Sequence, residues 1–179
     1  MKHSALILLL LLPGMGVANP ALEKLRKTFE THHAPYADGL LGPSQAIQDK
    51  YRQALESMQK KFSIAGNLSA VLAVKSEIQR AEKTDGQISR DTLVSSPPEL
   101  AKLQKAYLAG VEKGQIEAGR KLIALVESYD RSLEKLQRNL TQSQDLEAAV
   151  AVRAERDRVR EDKAYRSAVD RAEVRKIDR

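Results

Sequence analysis

Apolar positions in the second half of the chain recur with the period of an amphipathic helix. From residue 122 to residue 140 they alternate steps of four and three, the heptad spacing of a coiled coil. These positions are Leu122, Val126, Tyr129, Leu133, Leu136 and Leu140. Residues 51–62 keep the same register in the first half. A short polar break and a segment rich in small residues follow each stripe. The pattern therefore predicts two antiparallel helical hairpins, each a leucine-rich arm beside an Ala/Val-rich arm.

The two predicted hairpins are copies of one another. Residues 22–81 align without a gap with residues 100–159, every position shifted by 78, and self-similarity at one fixed shift indicates a repeated supersecondary unit. The matched structural positions include the tyrosine and leucine of the first arm and the corner residues. They are Tyr51, Leu55, Gly66, Asn67 and Leu68 in the first copy, and Tyr129, Leu133, Asp145 and Leu146 in the second.

The corners carry the signals of a helix end followed by a helix start. Gly66 can adopt the left-handed conformation that terminates a helix. Asn67 and Asp145 stand where an N-cap is required, because their side chains can accept the free amides of the next turn. Gln144 replaces the glycine in the second copy, so that corner is expected to be longer or more strained.

Outside the repeated arms the two copies differ. A helix is predicted from the Ser96-Pro97-Pro98 start to about residue 141, roughly 65 Å long. In the first copy residues 34–43 contain two prolines and two glycines, which predicts a loop after a short helix containing Leu22, Leu25 and Phe29. The charged residues 153–179 predict a helix that becomes progressively solvated, frays at its end and carries ion pairs such as Asp162–Arg166.

The N-terminus has the layout of a secretory signal peptide. A short positive start precedes an apolar run at residues 6–12 and small residues at 16–18, which predicts cleavage between Ala18 and Asn19 and a periplasmic or secreted protein. No other segment has the length of a membrane span. The predicted organisation is a signal peptide (1–18), a first hairpin repeat (19–83), a flexible linker (84–98) and a second repeat with a charged C-terminal helix (99–179).

Composition narrows the possible chemistry. The chain has no cysteine, which excludes disulfides, thiolate metal sites and a cysteine nucleophile. Its formal net charge of +6 favours acidic partners, but acidic residues interrupt every basic block of the C-terminal segment, which disfavours nucleic acid. Leucine, alanine and charged residues dominate and aromatics are 4% of the chain, as in long helices. The fold class predicted is all-α and elongated, with a protein partner or self-association and no cofactor.

Candidate site residues are few. Glu30 and His33 have the Glu-x-x-His spacing of metal sites in helical bundles, but the set is partial, so they are weak metal candidates and no metal or catalytic residue is predicted. Tyr51 and Tyr129 are interpreted as core residues with peripheral hydroxyls. The recurring Glu77 and Glu155 are interpreted as members of an inter-arm salt bridge or of a solvated face.

The repeated text reads Y-x3-L-E-x-[ML]-Q-x2-[FL]-x4-[ND]-L-x-A-x2-A-V-x2-E over residues 51–77 and 129–155. It resembles a helical-hairpin repeat of secreted bacterial proteins whose function is unassigned. The resemblance, over residues 44–81 and 122–159, implies a stalk or interaction segment, and the function predicted for the chain is a non-enzymatic structural or protein-interaction module. An alternative is a holdase, since a small, exported, basic, cysteine-free helical protein is similar to the Skp-like periplasmic chaperones. A metal-dependent enzyme or metal-binding helical protein is a minor alternative.

Overall fold

The structure, a computed structural model, describes residues 19–177 of the chain. Within that range it is all-helical, which confirms the predicted fold class at the level of an all-α protein. The secondary structure is made of helices with one short 3₁₀ turn at Arg90–Thr92 between α3 and α4. The helices are α1 (Pro20–Leu41), α2 (Gln45–Ile64), α3 (Leu68–Lys83), α4 (Pro98–Gln142), α5 (Leu146–Arg160) and α6 (Lys163–Ile177).

The long helix α4 confirms the extended helix predicted from the sequence. It has 45 residues, which at 1.5 Å each gives a length of about 67 Å. Pro98 stands at its first position, where the missing amide of proline costs no intrahelical hydrogen bond. The heptad stripe faces inward, with Leu122, Val126, Tyr129 and Leu133 all buried. Helix α4 is therefore the central packing element, and α1, α2, α5 and α6 all pack against it.

The loop predicted for residues 34–43 is wrong, because α1 continues to Leu41 with Pro35 inside it. A proline in a helix interior costs about 3 kcal/mol, so other contacts must outweigh it. Phe29 and Leu40 are buried on α1, and α1 packs along α4. This burial on both sides of Pro35 stabilises a continuous helix, and the chain turns only afterwards, at residues 42–44.

Both corners are built as the sequence predicts. Gly66 adopts a φ of +67°. Asn67 accepts the amide of Ala70 at 3.1 Å, and Asp145 accepts the amide of Ala148 at 3.2 Å. The two corners have the same length, and Gln144 has a φ of +64°. Of the two expectations for the second corner, it is the strained one that holds, since a side chain with a Cβ occupies the left-handed region.

The charged C-terminal segment, predicted as a helix that becomes progressively solvated and frays, is divided between two helices. Helix α5 ends at Arg160, and α6 begins at Lys163. Asp162 accepts the amide of Tyr165 at 2.8 Å, which is the contact of an N-cap. The break lets α6 turn back and pack against α4 and α1, where Ala168 is buried. Apolar contacts of α6 thus outweigh the helix-forming tendency of the segment around the break.

The core has two clusters, one towards each end of α4. The first cluster combines α2 and α3 with the start of α4, and the second combines α1, α5 and α6 with the later part of α4. Buried residues of the first cluster are Tyr51, Leu55, Phe62, Ala70, Val74, Leu100 and Tyr107. Those of the second are Leu22, Phe29, Leu40, Leu122, Val126, Tyr129, Leu133, Val152, Val159 and Ala168.

The segment between α3 and α4 is held on α4 by two hydrogen bonds. The Tyr107 hydroxyl donates to the carbonyl of Gly86 at 2.7 Å. The amide of Val94 donates to Oε1 of Gln104 at 2.8 Å, and Gln104 is fully buried. Residues 84–97, expected to be a flexible linker, are therefore attached to the first cluster at two points.

Candidate functional site

The most polar part of the first cluster is a buried carboxylate with three donors around it. The hydroxyl of Tyr51 on α2 donates to Oε1 of Glu77 on α3 at 2.5 Å. Arg80, one turn further along α3, donates to the same carboxylate from Nε at 2.8 Å and from Nη2 at 2.7 Å. Glu77 is only 4% exposed. Its negative charge is therefore compensated inside the fold by one arginine, and one neutral tyrosine adds a hydrogen bond.

The second cluster contains the same group, 78 positions later in the chain. Tyr129 on α4 donates to Oε1 of Glu155 on α5 at 3.0 Å, and Arg158 donates to both carboxylate oxygens at 2.9 and 2.6 Å. Glu155 is also 4% exposed. A fourth residue joins here, since Arg26 of α1 donates from Nη2 to Oε2 at 3.2 Å. The second carboxylate thus links α1, α4 and α5.

These geometries correct the interpretation of the two glutamates. Neither lies on a solvated face, and Arg80 and Arg158 come from the same helix as the glutamate that each contacts, one turn further on. The contact between the arms is instead the tyrosine hydroxyl. Sequence reasoning missed the arginines, although Arg80 and Arg158 recur at the shift of the repeat three positions after the glutamates. That recurrence was the available signal.

The surroundings determine the ionisation of both groups. Burial by itself raises the pKa of Glu77, but hydrogen bonds from Arg80 and Tyr51 outweigh burial and leave that pKa below its ordinary value. Glu155 behaves in the same way, with a lowered pKa from Arg158, Arg26 and Tyr129 acting against burial. The pKa values of Tyr51 and Tyr129 are raised, first by burial and then by the hydrogen bond to the carboxylate. The stable state is a carboxylate facing a protonated tyrosine.

An aromatic ring from a third helix covers each tyrosine. Phe29 of α1 stacks on Tyr129 with ring centres 4.3 Å apart and planes tilted by 12°. Tyr107 of α4 stacks on Tyr51 with centres 4.0 Å apart and a tilt of 19°. Offset stacking of this kind adds roughly 1 kcal/mol to the burial of the rings. Each buried carboxylate group is therefore closed by an aromatic residue of a further helix.

Little room remains beside the first group. The cleft next to Tyr51 and Tyr107 has a volume of about 20 Å³, which is enough for about one water molecule. A wider groove of about 450 Å³ lies between α1 and α4 beside Tyr129, with walls that include Leu25, Thr28 and Ser128. Its lining is largely apolar, and the Glu155 carboxylate is already engaged by four donors. The geometry serves to join helices rather than to offer a free acid or base.

The weak metal candidates are not brought together with enough other side chains to form a ligand set in the described part of the chain. His33 has Nε2 3.2 Å from Oδ1 of Asp162 and its ring 5.0 Å from that of Phe29, so it lies between α1 and the start of α6. Glu30 is exposed on α1. Within residues 19–177 no group of three or more His, Cys, Asp or Glu side chains could hold a metal ion. Of the predicted cleavage pair, Ala18 lies outside the described residues and Asn19 caps α1.

Two basic residues of the C-terminal segment form ion pairs with the same acidic residue of α4. Arg156 donates to Asp130 at 2.9 Å, and Arg160 donates to the same aspartate at 2.8 Å. Asp162 was expected to pair with Arg166. Instead it caps α6 and lies beside His33. The charged residues of α5 therefore hold α5 on α4 as well as keeping its outer side polar.

Apolar side chains are exposed at matched positions on α3 and α5. Leu68 and Leu72 are 69% and 54% exposed, and Leu146 and Val150 are 62% and 68% exposed. Each pair lies at i and i+4, hence on one face of its helix. An exposed basic residue, Lys75 or Arg153, follows at i+7 on each of those faces. We call the two triplets (68, 72, 75 and 146, 150, 153) the outer faces of α3 and α5.

Comparison of the chain with protein-family models, curated proteins and solved structures found no match. None of the helices in residues 19–177 combines the length and the apolar character needed to cross a membrane. The candidate site therefore consists of the two buried tyrosine–glutamate–arginine groups and the two outer faces.

Proposed function

We propose that the protein is an exported, non-enzymatic helical module that binds a protein partner, built from two tandem antiparallel hairpins. The helix pairs α2–α3 and α4–α5 are in contact and are joined by corners of equal length, which supports the hairpin architecture. The buried carboxylate of each pair is fully engaged by its own chain, which supports a packing role for it. The partner-binding role has to come from the surface.

The outer faces carry this proposal. Burying an exposed leucine contributes about 1.5–3 kcal/mol, so two such residues side by side are a substantial unused apolar surface. Single exposed apolar residues are ordinary on proteins. Here a pair recurs at the same repeat positions, Leu68 and Leu72 in one copy and Leu146 and Val150 in the other. The opposite sides of both helices are buried in the core, so the outer faces are free to bind.

Export is supported by the start of α1. Asn19 accepts the amides of Ala21 and Leu22 at 3.0 and 3.2 Å, so cleavage before Asn19 would leave the cap of α1 intact. Mass spectrometry of the protein isolated from the periplasm or medium is expected to give a mature chain that begins at Asn19. A chain that retains residues 1–18 in the cytoplasm would contradict export.

Photo-crosslinking in intact cells tests partner binding. With a photoreactive residue at Leu72, we expect one discrete adduct, and Leu68→Lys in the same chain should abolish it while the helical circular dichroism stays unchanged. Gln53, exposed on α2, is the matched control position and should give no adduct. Equal adduct yields at Leu72 and Gln53, or none at Leu72, would contradict the proposed function.

A holdase chaperone is the second candidate, because an apolar pair next to a cation also suits unfolded chains of mixed composition. It predicts many adducts of different mass instead of one discrete adduct. It also predicts suppressed aggregation of an unfolded outer-membrane protein, weaker at high salt. Leu72→Lys combined with Val150→Lys should remove that suppression. A single adduct with no effect on aggregation would exclude the holdase.

A further inference from the structure

The two ring stacks connect the halves of the chain in a reciprocal way. Phe29 belongs to the first half and stacks on Tyr129 of the second. Tyr107 belongs to the second half and stacks on Tyr51 of the first. Phe29 and Tyr107 are equivalent under the shift of 78 positions, and so are Tyr51 and Tyr129. One contact is therefore the image of the other with the two halves interchanged.

The same reciprocity holds at two further positions, one and two turns before the aromatic residue of each helix. Leu22 is buried in the second cluster, and its equivalent Leu100 is buried in the first. Arg26 donates to Glu155, and its equivalent Gln104 is fully buried on α4, where its Oε1 accepts a hydrogen bond from the amide of Val94. With the aromatic residue, these positions are i, i+4 and i+7 of one helix face. Each cluster thus accepts a helix of the same pattern from the opposite half.

A two-fold axis through such an arrangement would bring equivalent residues together at its centre. Residues 40 and 118 are equivalent under the shift of 78 positions, and they are close neighbours across the contact between α1 and α4. A Cβ placed on Gly39 would lie 2.9 Å from the Cβ of Ala118, and one placed on Gly119 would lie 3.4 Å from Cδ2 of Leu40. The two helices therefore approach each other closely at the pair that a two-fold relation would place on its axis.

We propose that the two repeats complete each other's cores by exchanging their first helices, so that the molecule is a single-chain counterpart of a two-fold dimer. The face of α2–α3 and the face of α4–α5 are equivalent receptors for a helix that presents Leu, Arg or Gln, and an aromatic residue. The partner of each receptor is the first helix of the other repeat. The inference rests on the two-repeat architecture proposed above and on no external partner.

Double-mutant cycles in the full chain test the exchange. Leucine replaces each aromatic residue, so that apolar bulk and folding are kept. Combining Phe29→Leu with Tyr129→Leu should give coupling, with the unfolding equilibrium constant about five-fold away from the product of the single effects. Tyr51→Leu with Tyr107→Leu should behave likewise. The matched control pair, Phe29→Leu with Tyr51→Leu, lies within one half and should be additive. Coupling within the half and additivity across the halves would overturn the exchange.

Cleavage of the connection between the halves is a second test. A protease site introduced at the exposed turn Arg90–Thr92 allows the folded chain to be cut between α3 and α4. We expect the two fragments to elute together at the mass of one chain and to unfold in a single transition, because each holds a helix inside the core of the other. Fragments that separate after cleavage, or that unfold in two independent transitions, would overturn the exchange.

The two-fold relation also makes the outer faces equivalent and places them far apart. The corner at Asn67 lies beside Pro98, at the start of α4, and the corner at Asp145 follows its end, so the corners are separated by about 65 Å. Photoreactive residues at Leu72 and Val150 are then expected to capture the same partner. Two different partners would overturn the equivalence. No adduct at either position would contradict the proposed function while leaving the coupling across the halves unchanged.

Discussion

The two core clusters have the same geometry and different electrostatics. In both, a tyrosine hydroxyl and an arginine donate hydrogen bonds to a buried glutamate, and an aromatic ring stacks on the tyrosine. In the first cluster the residue that the third helix contributes is the neutral Gln104, whereas the second cluster has Arg26. Glu77 thus faces one cation and Glu155 faces two. The comparison teaches that matched residues 78 positions apart place the two groups alike, while one position, 26 or 104, sets the local charge.

The clusters also differ in how their third helix is connected to the rest of the chain. The first receives the start of α4, which runs on without interruption into the second cluster. The second receives α1, which is separated from α2 by residues 42–44. The third helix packs in the same way although it is continuous with the next arm in the first cluster and separated from it by a turn in the second. The third helix is therefore not positioned by its direct connection to the hairpin arm. It is positioned by the side-chain face that it packs against the cluster.

The largest expected effect is the loss of a buried carboxylate charge. Glu155→Gln leaves Arg26 and Arg158 without their shared anion, and we expect it to lower the free energy of unfolding by about 4 kcal/mol. Glu77→Gln leaves only Arg80 uncompensated and has Gln104 nearby, so about 3 kcal/mol is expected. Urea denaturation followed by circular dichroism measures both values.

The double variant Arg26→Gln, Glu155→Gln sharpens this comparison. Replacing Arg26 gives the second cluster the polar composition of the first, so Glu155→Gln should then cost about as much as Glu77→Gln. If Glu155→Gln lowers the free energy of unfolding equally with and without Arg26, then Arg26 does not contribute to stabilising the Glu155 charge. The proposed electrostatic difference between the clusters would then be wrong.

Smaller effects are expected from the tyrosine hydroxyls, which make the two clusters sensitive to alkaline pH. The pKa values of Tyr51 and Tyr129 are raised in the folded protein, so their contribution is complete below the unfolded pKa of about 10. It is lost as pH rises above that value, because the unfolded state releases the proton first. Near pH 8 we expect Tyr129→Phe to cost about 2 kcal/mol, as for a hydrogen bond to a charged group.

The pH dependence separates the hydroxyl from the ring. Above pH 10 the free energy of unfolding should fall less steeply in Tyr129→Phe than in the parent, by about 1.4 kcal/mol per pH unit for the missing tyrosine. Tyr51→Phe should give the same change in slope. Denaturation curves between pH 8 and pH 11 measure it, and unchanged slopes in both variants would mean that the hydroxyls titrate in the fold as they do in the unfolded chain.

Much of the helix content was predictable because it depends on local signals. The heptad stripe, the caps at Asn67 and Asp145 and the prolines before α4 act within one or two turns. Pro35 was misjudged since its helix is stabilised by α4, which lies some 80 positions away in the sequence. The arginine partners of the glutamates and the ring stacks between the two halves of the chain were missed for the same reason. Periodicity identifies a buried face but does not say which helix covers it.

The smallest expected effect compares the two corners. Gly66 and Gln144 occupy the same left-handed region, with φ of +67° and +64°, and only glycine does so without a steric cost. Gln144→Gly should therefore raise the free energy of unfolding by about 1 kcal/mol, and Gly66→Gln should lower it by about the same amount. Gln144→Ala is the matched control, because it removes the side chain and keeps the Cβ, and it should give no gain. Urea denaturation of the three variants measures the differences. A gain in Gln144→Ala equal to that in Gln144→Gly would place the cost in the glutamine side chain, and the two corners would then differ in their surface contacts and not in backbone strain.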